Sequence, residues 1–236
     1  MRSPGSTDAP HERGTNLVQA DTSYLIIRAD LLCEDLEMAL DRDVAAFDER
    51  AAGYESGWLG KFHRDIADRV ADLALTNSPT PQRILDIGCG TGYLLHQLAA
   101  RAPDAIELAG IDAAPAMIDV ARANAGDPRL TFSVGVAEQL PYADANFDLV
   151  VSTTSFDHWR DQQAGLQECA RVMTPGAHLV LADQFSTWLL PTLLGKRRDK
   201  ARTKSRAARL ITAAGLNGLQ WHDLNTVIIR AVTAAK

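Results

Sequence analysis

The sequence lacks any hydrophobic run of transmembrane length and contains few cysteines. Three cysteines, Cys33, Cys89 and Cys169, occur among 236 residues, widely spaced and without a metal-type pair. The amino-terminal stretch MRSPGSTDAPHERG has no apolar segment of the kind found in signal peptides. These absences argue against a membrane span, a disulfide scaffold and a cysteine-based metal site. They predict a cytoplasmic protein with reduced thiols.

Basic charge is also scarce outside one stretch. The formal net charge is -6, yet residues 196–209 (KRRDKARTKSRAAR) carry +7, so the remaining residues carry -13. An acidic body disfavours nucleic acid as a partner, because phosphate contacts need basic surface. The simplest interpretation of the basic run is a solvated helix face. Contact with an anionic small molecule, a carrier protein or RNA stays an alternative.

The hydrophobic pattern divides the chain into three parts. Residues 1–16 are polar and rich in Pro, Gly and Ser, which predicts a disordered tail. Residues 17–80 carry apolar residues at helical spacing and are predicted to form a helical lead-in or cap. From 81 to 236, apolar strands alternate with helical segments and end in a hairpin. This order predicts an α/β, Rossmann-like, doubly wound sheet of seven strands, mostly parallel, with an antiparallel carboxy-terminal hairpin strand and additional N-terminal helices.

The boundaries of the main elements follow from the same pattern. The Pro175-Gly176 pair is expected to turn the chain into the fifth strand, and a tight turn is expected near Asp223–Asn225. The predicted strands before the hairpin are 84–87, 106–111, 130–134, 147–152 and 177–182. The predicted helices are 59–75, 93–101, 117–123, 162–173 and 202–214.

A glycine-rich turn, LDIGCGTGYL, follows the first predicted strand. Its third glycine falls one position too early for a dinucleotide-binding G-x-G-x-x-G motif, and no Lys-Ser/Thr pair follows as in a P-loop. Asp86 stands two residues before the first glycine, where a carboxylate about 4 Å from a pyrophosphate oxygen would cost roughly 4 kcal/mol. A nucleoside with a cationic end suits the site better. S-adenosylmethionine, with its sulfonium and ammonium groups, meets that description and NAD does not.

A second acid closes the next strand. Asp112, in LAGIDAAPAM, lies 26 residues after Asp86 and is expected to accept hydrogen bonds from both ribose hydroxyls. Met117 is expected to pack on the purine face with its flexible thioether. Alternatively, the two acids cap nearby helices.

Four stretches, LDIGCGTG, GIDAAPAMI, GVAEQLPYADANFDLVVS and ECARVMTPGAHLVLAD, together resemble the successive motifs of class I S-adenosylmethionine-dependent methyltransferases. The resemblance covers about residues 83–185. It is greatest to the small-molecule branch that includes ubiquinone/menaquinone C-methyltransferases and natural-product methyltransferases. Upstream, FDERAAGYESGW resembles the lead-in helix with which this branch closes the cofactor pocket, and Tyr54 matches its aromatic residue.

The resemblance implies a cofactor site for S-adenosyl-L-methionine, with S-adenosyl-L-homocysteine as product. The family often has an aspartate where this chain has Val136, and that aspartate accepts from the adenine amino group. Backbone groups near Ala137, or the Glu138 carboxylate, would have to contact the adenine edge here. The predicted cofactor residues are Tyr54, Asp86, Gly88, Cys89, Gly90, Gly92, Asp112, Ala113, Met117, Ala137, Glu138 and Thr153.

The loop after the fourth strand, STTSFDHWRDQ, faces the transferred methyl group in this family. His158, beside Asp157, is the candidate general base. The alternative is that Asp157 caps the next helix and His158 is a surface or packing residue. Phe156 and Trp159 are predicted substrate-binding walls, or core. Trp188, in the predicted acceptor lid 186–200, is the third substrate-binding candidate, or else a dimer contact or core.

His63, on the predicted lead-in helix, either approaches the acceptor or lies on a solvated helix face, and the solvated face is the preferred interpretation.

The sequence therefore predicts metal-independent methyl transfer to O, N or C of a small organic acceptor by in-line displacement. The tetrapeptide at 152–155, STTS, differs from the Asn/Asp-Pro-Pro-aromatic motif of nucleic-acid N-methyltransferases. No acidic cluster matches the magnesium site of catechol-type enzymes. Two alternatives remain: a cofactor-binding member of the fold that catalyses a cyclisation or rearrangement, and a non-catalytic module that binds RNA or a protein partner. A homodimer is also left open.

Overall fold

Short apolar runs form the centre of the sheet because helices cover both of its faces. The computed structural model describes residues 44–54, 57–185, 203–224 and 229–236, and within these ranges it has one sheet of seven strands. All described residues belong to one compact unit, Ala39–Lys236. The strands are β1 (Arg83–Ile87), β2 (Glu107–Asp112), β3 (Leu130–Val134), β4 (Phe147–Thr153), β5 (Met173–Gln184), β6 (Asn217–Asp223) and β7 (Ile229–Ala235).

The strand order explains where a ligand can bind. The order is β3-β2-β1-β4-β5-β7-β6, with parallel pairing from β3 through β5 and antiparallel pairing of β7 with β5 and β6. The direction of winding reverses between β1 and β4, so a crevice opens outside the carboxyl ends of these strands. The predicted Rossmann-like sheet with its antiparallel hairpin is confirmed.

Five helices of the described residues surround the sheet, at positions close to the predicted ones. Pro115 occupies the first turn of its helix, where its fixed φ suits the helix and its missing N–H costs nothing. Residues 44–50 are also helical and lead into a 3-10 turn, Ala51–Gly53. The five helices are α1 (Gly57–Asn77), α2 (Tyr93–Arg101), α3 (Pro115–Asn124), α4 (Gln162–Val172) and α5 (Lys204–Ala213). None of the described helices is long and apolar enough to cross a membrane.

Alternation along β1 sets the direction of its one acidic side chain. Ile84 packs in the cluster formed with α1 and α2, whereas Leu85 and Ile87 pack in the cluster with α4 and α5. Successive strand residues face opposite sides, so Asp86 shares a face with Ile84. The acid therefore lies at the carboxyl end of β1 on the side covered by α1 and α2.

Two predicted boundaries are wrong. β5 begins at Met173, directly after α4, and Pro175-Gly176 lies within it, where the register against β4 shifts and Gly176 has a φ of 82°. A bulge absorbs the turn-forming pair without ending the strand. Asp223, which the predicted turn near Asp223–Asn225 includes, is the last residue of β6 and pairs with Arg230, and residues 225–228 lie outside the described residues. The predicted tail 1–16 and lid 186–200 lie outside the described residues.

Candidate active site

The glycine loop after β1 passes close to the segment that follows β4. Gly88 has a φ of 75°, and a Cβ on it would lie 2.2 Å from the Cβ of Ser155. A side chain at this position would therefore be strained and would collide with its neighbour. The loop is held in place by the N–H groups of Gly88 and Cys89, which both donate to the Ile111 carbonyl, at 2.8 and 3.1 Å. Gly92, with a φ of 85°, is packed against Phe132.

Asp112, at the end of β2, holds both the glycine loop and the start of α3. Its Oδ2 accepts from the Gly90 N–H at 2.8 Å, and its Oδ1 accepts from the Ala114 N–H at 2.9 Å. Burial raises the pKa of Asp112, although these two backbone hydrogen bonds lower it. The carboxyl group is thus oriented by the backbone before any ligand binds.

Asp86 is the more extreme of the two acids. It is 1% exposed, and its Oδ1 has no hydrogen-bond partner among the described residues. Burial, and then the charge of Asp112, raises the pKa of Asp86 to about 8. A nearby cation would remove the cost of ionising this buried group. Asp86 and Asp112 together therefore make an acidic corner that suits a positively charged ligand.

Two cavities meet at the glycine loop. The first has a volume of about 770 Å³ including its open mouth, and the second about 500 Å³. They share Tyr54, Gly88, Gly90, Thr153 and Thr154. A long ligand could therefore lie across the glycines with one end in each cavity.

The two cavities collect most of the predicted cofactor residues. The first cavity contains Asp112, Ala113, Met117, Ala137 and Glu138, and also Val136, whose side chain is 36% exposed. The second contains Asp86 and Cys89, together with Thr91, His63 and Arg64. Of the predicted cofactor residues, Gly92 alone borders neither of these two cavities.

Cys89 is not a reactive group in this setting. Burial first, and then the charges of Asp86 and Asp112, raise the pKa of its thiol well above the usual range. The thiol therefore stays protonated and acts as a wall of the second cavity.

Residues 44–54, here called the cover segment, close one side of the first cavity with Val44, Phe47 and Tyr54. The Tyr54 hydroxyl is hydrogen-bonded to His63 Nδ1 at 3.2 Å. Burial, and then the charge of Asp112, raises the pKa of Tyr54 to about 12, and burial lowers the pKa of His63. His63 is thus half-buried in the site, and the preferred interpretation of a solvated helix face is wrong.

The loop after β4 brings His158 into the first cavity. The Phe47 ring meets the His158 ring edge-on, with centroids 5.2 Å apart. The Asp157 N–H donates to Asp183 Oδ2 at 2.9 Å, and this bond fixes the short 3-10 turn that carries His158. Burial is the main cause that raises the pKa of Asp183 to about 6. The charge of His158 lowers the pKa values of both Asp112 and Asp183, so His158 lies near two carboxyl groups.

The other predicted residues of this loop take different positions. Phe156 is fully buried in the core and borders neither cavity, whereas Trp159 lines the first cavity and donates from Nε1 to the Ser155 hydroxyl at 3.2 Å. Asp157 does not cap α4, because Asp161 does so by accepting from two backbone N–H groups. Trp188 lies outside the described residues.

Glu138 has a structural contact of its own. Its Oε1 accepts from the Asp161 N–H at 2.8 Å, so the carboxylate joins the segment after β3 to the start of α4. Glu138 also lines the first cavity, beside Val136 and Ala137.

Several cavity residues were missed from the sequence, namely Val44, Phe47, Arg64, Ser155 and Arg160. Phe47 was visible as the first residue of FDERAAGYESGW, and Ser155 and Arg160 flank His158. No local pattern distinguishes Arg64 from the other charged residues of α1. Among the described residues, no group of three or more His, Cys, Asp or Glu side chains could hold a metal ion.

Comparison with known proteins agrees with this geometry. A methyltransferase domain family model matches residues 85–181. A demethylmenaquinone methyltransferase of Deinococcus radiodurans is 39% identical over 133 residues, which are 56% of this chain and 51% of that protein. A malonyl-(acyl-carrier protein) O-methyltransferase of Hahella chejuensis is 30% identical over 196 residues, which are 78% of this chain and 68% of that protein. The chain thus spans about half the length of the first relative.

A solved structure supports the fold. The methyltransferase crystallised with the Trm112 methyltransferase activator of Haloferax volcanii superposes with a TM-score of 0.66 and 23% identity, over 80% of this chain and 96% of that one. The relatives above, the sheet order and the glycine loop together identify the family. The chain belongs to the class I S-adenosylmethionine-dependent methyltransferases.

Proposed function

We propose that the chain binds S-adenosylmethionine across the glycine loop and transfers its methyl group to a small organic acceptor. The adenosine would occupy the first cavity, with its ribose on Asp112 and its adenine between Met117 and the segment at Ala137. The methionyl end would occupy the second cavity, with its ammonium on Asp86 and its carboxylate near Arg64. The reacting sulfur would then lie at the junction, beside Tyr54.

One observation carries this proposal: Asp86, whose buried Oδ1 has no hydrogen-bond partner among the described residues, borders the second cavity. A carboxyl group with a pKa of about 8 would bind an ammonium group and ionise, whereas a phosphate there would meet either a buried acid or a second negative charge. The groups at this junction thus fit the zwitterionic, sulfonium-bearing end of S-adenosylmethionine.

The acceptor would approach through the part of the first cavity bordered by Phe47, His158 and Arg160. When bound, S-adenosylmethionine supplies an electrophilic methyl group, so the protein's main task is alignment for in-line displacement. Phe47 and Tyr54 would exclude water from that line. His158 would accept the proton of a hydroxyl acceptor, while an amine or an ionised oxygen would need no base.

The residues around the junction of the two cavities also favour a small-molecule acceptor over RNA. Trp159, Phe47 and Tyr54 give the first cavity an aromatic wall, which suits a small organic molecule better than a polyanion such as RNA. Metal independence rests on the sequence and stays a prediction, as do the acceptor lid 186–200 and a homodimer.

Methyl transfer can be tested with S-adenosylmethionine labelled in its methyl group and a panel of small phenols, carboxylic acids, amines and enolisable carbonyl compounds. The expected result is label in one acceptor class and an equal amount of S-adenosylhomocysteine. Tight cofactor binding with no loss of label, while an acceptor rearranges, would favour the cyclase alternative. Failure to bind the cofactor, with salt-dependent RNA binding, would favour the non-catalytic module.

A further inference from the structure

We propose that Asp48 is a positioning residue that fastens the cover segment to the amino end of α3 and thereby retains the bound cofactor. The inference rests on the proposed function, because it concerns the wall of the same cavity. The cover segment supplies Val44, Phe47 and Tyr54 to the first cavity, which Asp112 of β2 also borders. Whatever holds this segment down therefore controls the side through which the adenosyl group would leave.

The start of α3 has no cap of its own. Its N-cap residue is Ala114, which has no side-chain hydrogen bond to offer, and Pro115 has no N–H. The Ala116 N–H is the next free donor of this helix end, and Asp48 Oδ1 accepts from it at 2.8 Å across 68 residues of sequence. A capping role that a neighbouring Ser, Thr or Asp usually fills is here filled by a residue of the cover segment.

Apolar contacts on both sides of Asp48 strengthen this attachment. Ala51, which is 4% exposed, packs with Ala114 and Met117, and Phe47 packs against the His158 ring. Farther along, the hydrogen bond of Tyr54 with His63 fixes the end of the segment to α1. Of the two hydrogen bonds described here, that of Asp48 reaches α3, whose Met117 borders the first cavity.

An aspartate at this position has an electrostatic cost. The charge of Asp48 is one of the causes that raise the pKa of Asp112, after burial. The charge of His158 also acts on Asp112 and lowers its pKa, whereas the charge of Asp112 raises the pKa values of Asp86 and Tyr54. An asparagine could accept the same hydrogen bond without adding a negative charge, so the cap and the charge can be separated by substitution.

The test compares Asp48→Ala, which removes the cap, with Asp48→Asn, which keeps the acceptor. Glu49→Ala is the matched control, because it removes the same charge from an exposed neighbour. Asp48→Ala is expected to weaken S-adenosylhomocysteine binding about tenfold (about 1.4 kcal/mol), mainly through faster dissociation. Asp48→Asn and Glu49→Ala are expected to stay within about threefold of the unsubstituted protein, and Asp48→Asn to retain its affinity to lower pH.

Titration calorimetry and stopped-flow dissociation give the affinities and rates, and hydrogen exchange of residues 44–54 reports the attachment directly. In Asp48→Ala, exchange should accelerate in the cover segment while β1–β4 stay protected, which excludes global unfolding as the cause. Equal affinity and equal protection in Asp48→Ala would overturn the proposal, and so would equal damage in Asp48→Asn. If the unsubstituted protein fails to bind the cofactor, the proposed function is wrong, while exchange without ligand still tests the attachment.

Discussion

The pKa values of acidic residues shift in opposite directions at the two ends of the central strands, which are here called the two edges of the sheet. At the edge where the strands begin, acids are paired: Asp127 with Arg129, and Glu168 with Arg171. Hydrogen bonds from these guanidinium groups lower the pKa of Asp127 to about 2 and lower that of Glu168. At the edge where the strands end, burial is the first cause that raises the pKa of Asp86, Asp112 and Asp183.

This contrast separates the paired acids from Asp86 and Asp112, the two proposed ligand-binding acids; Asp183, which borders neither cavity, holds the turn that carries His158. A paired carboxylate stabilises the folded chain over the whole range in which it is ionised, because its pKa is below that of the unfolded chain. A buried acid with a raised pKa costs stability as it ionises, and a protein retains such a group where a ligand uses it. The difference thus predicts that substitutions at the two edges affect different measurements.

The largest expected effect is the pH dependence of cofactor binding through Asp86. An ammonium group beside Asp86 favours its ionised form, so binding releases a proton and affinity rises with pH up to the free pKa of about 8. Between pH 8 and pH 6, the affinity for S-adenosylhomocysteine is expected to fall by up to about fiftyfold. Titration calorimetry in buffers of different ionisation enthalpy measures both the affinity and the proton.

Asp86→Asn should abolish this dependence of the affinity on pH and should bind the cofactor weakly at both pH values, since the neutral amide cannot ionise. Asp104→Asn, an exposed acid ahead of β2, is the control and should keep the slope. An unchanged slope in Asp86→Asn would mean that another group takes up the proton, and the acidic corner would lose its assigned role.

The second effect is the loss of affinity in Asp112→Ala, expected to be at least tenfold (about 1.4 kcal/mol). The substitution removes the predicted ribose acceptor and also frees the Gly90 and Ala114 N–H groups that Asp112 holds. Asp119→Ala, on the exposed side of α3, should have little effect. Calorimetric affinities that do not differ between the two variants would remove Asp112 from the site.

The position of Asp86 and Asp112 could be predicted from sequence, but their ionisation could not. Each acid directly follows or ends an apolar strand run, and parallel strands bring their carboxyl ends together. Their pKa values depend on burial and on the distance between two groups 26 residues apart in the sequence. For the same reason the sequence predicts an anionic corner, whereas Asp86 without ligand is mostly protonated at neutral pH.

The third effect is on stability and leaves binding unchanged. Arg129→Ala removes the partner of Asp127 and the donors to the carbonyl groups of Ala99, Ala102, Pro103 and Ala105. The midpoint of thermal unfolding near pH 7 is expected to fall by several degrees, with cofactor affinity within about twofold. Arg69→Ala, which breaks an exposed pair on α1, is the control and should change the midpoint less.

The direction in which stability changes with pH also distinguishes the edge where the strands begin. Because the folded pKa of Asp127 is below the unfolded one, its contribution is present above about pH 4 and is lost as pH falls toward 2. The midpoints of the unsubstituted protein and Arg129→Ala should therefore approach each other in acid. A difference between the two midpoints that increases in acid would contradict the pairing of Asp127 with Arg129.

The bulge in β5 and the attachment of the cover segment could not be predicted from local patterns. Pro175-Gly176 usually marks a turn, yet Gly176 and Ala177 exchange backbone hydrogen bonds with Lys236, the residue after β7, and the strand continues through the pair. Asp48 caps a helix 68 residues away, so no capping motif is visible in either segment. Both features depend on contacts between distant residues, whereas the predicted strands and helices depend on nearby ones.

The smallest expected effect is a gain of affinity in Val136→Asp, which places a carboxylate where the family often has one. Val136 is 36% exposed and borders the first cavity, so the new acid would ionise normally, unlike Asp86, and accept from the adenine amino group. Binding of S-adenosylhomocysteine is expected to tighten about threefold, close to 0.65 kcal/mol. Val134→Asp, at a nearby exposed position outside both cavities, adds the same charge and should change nothing. An analogue with oxygen in place of the adenine amino group should bind Val136→Asp no more tightly than the unsubstituted protein. An equal gain of affinity with that analogue would show that the added negative charge, and not recognition of the adenine amino group, causes the tighter binding.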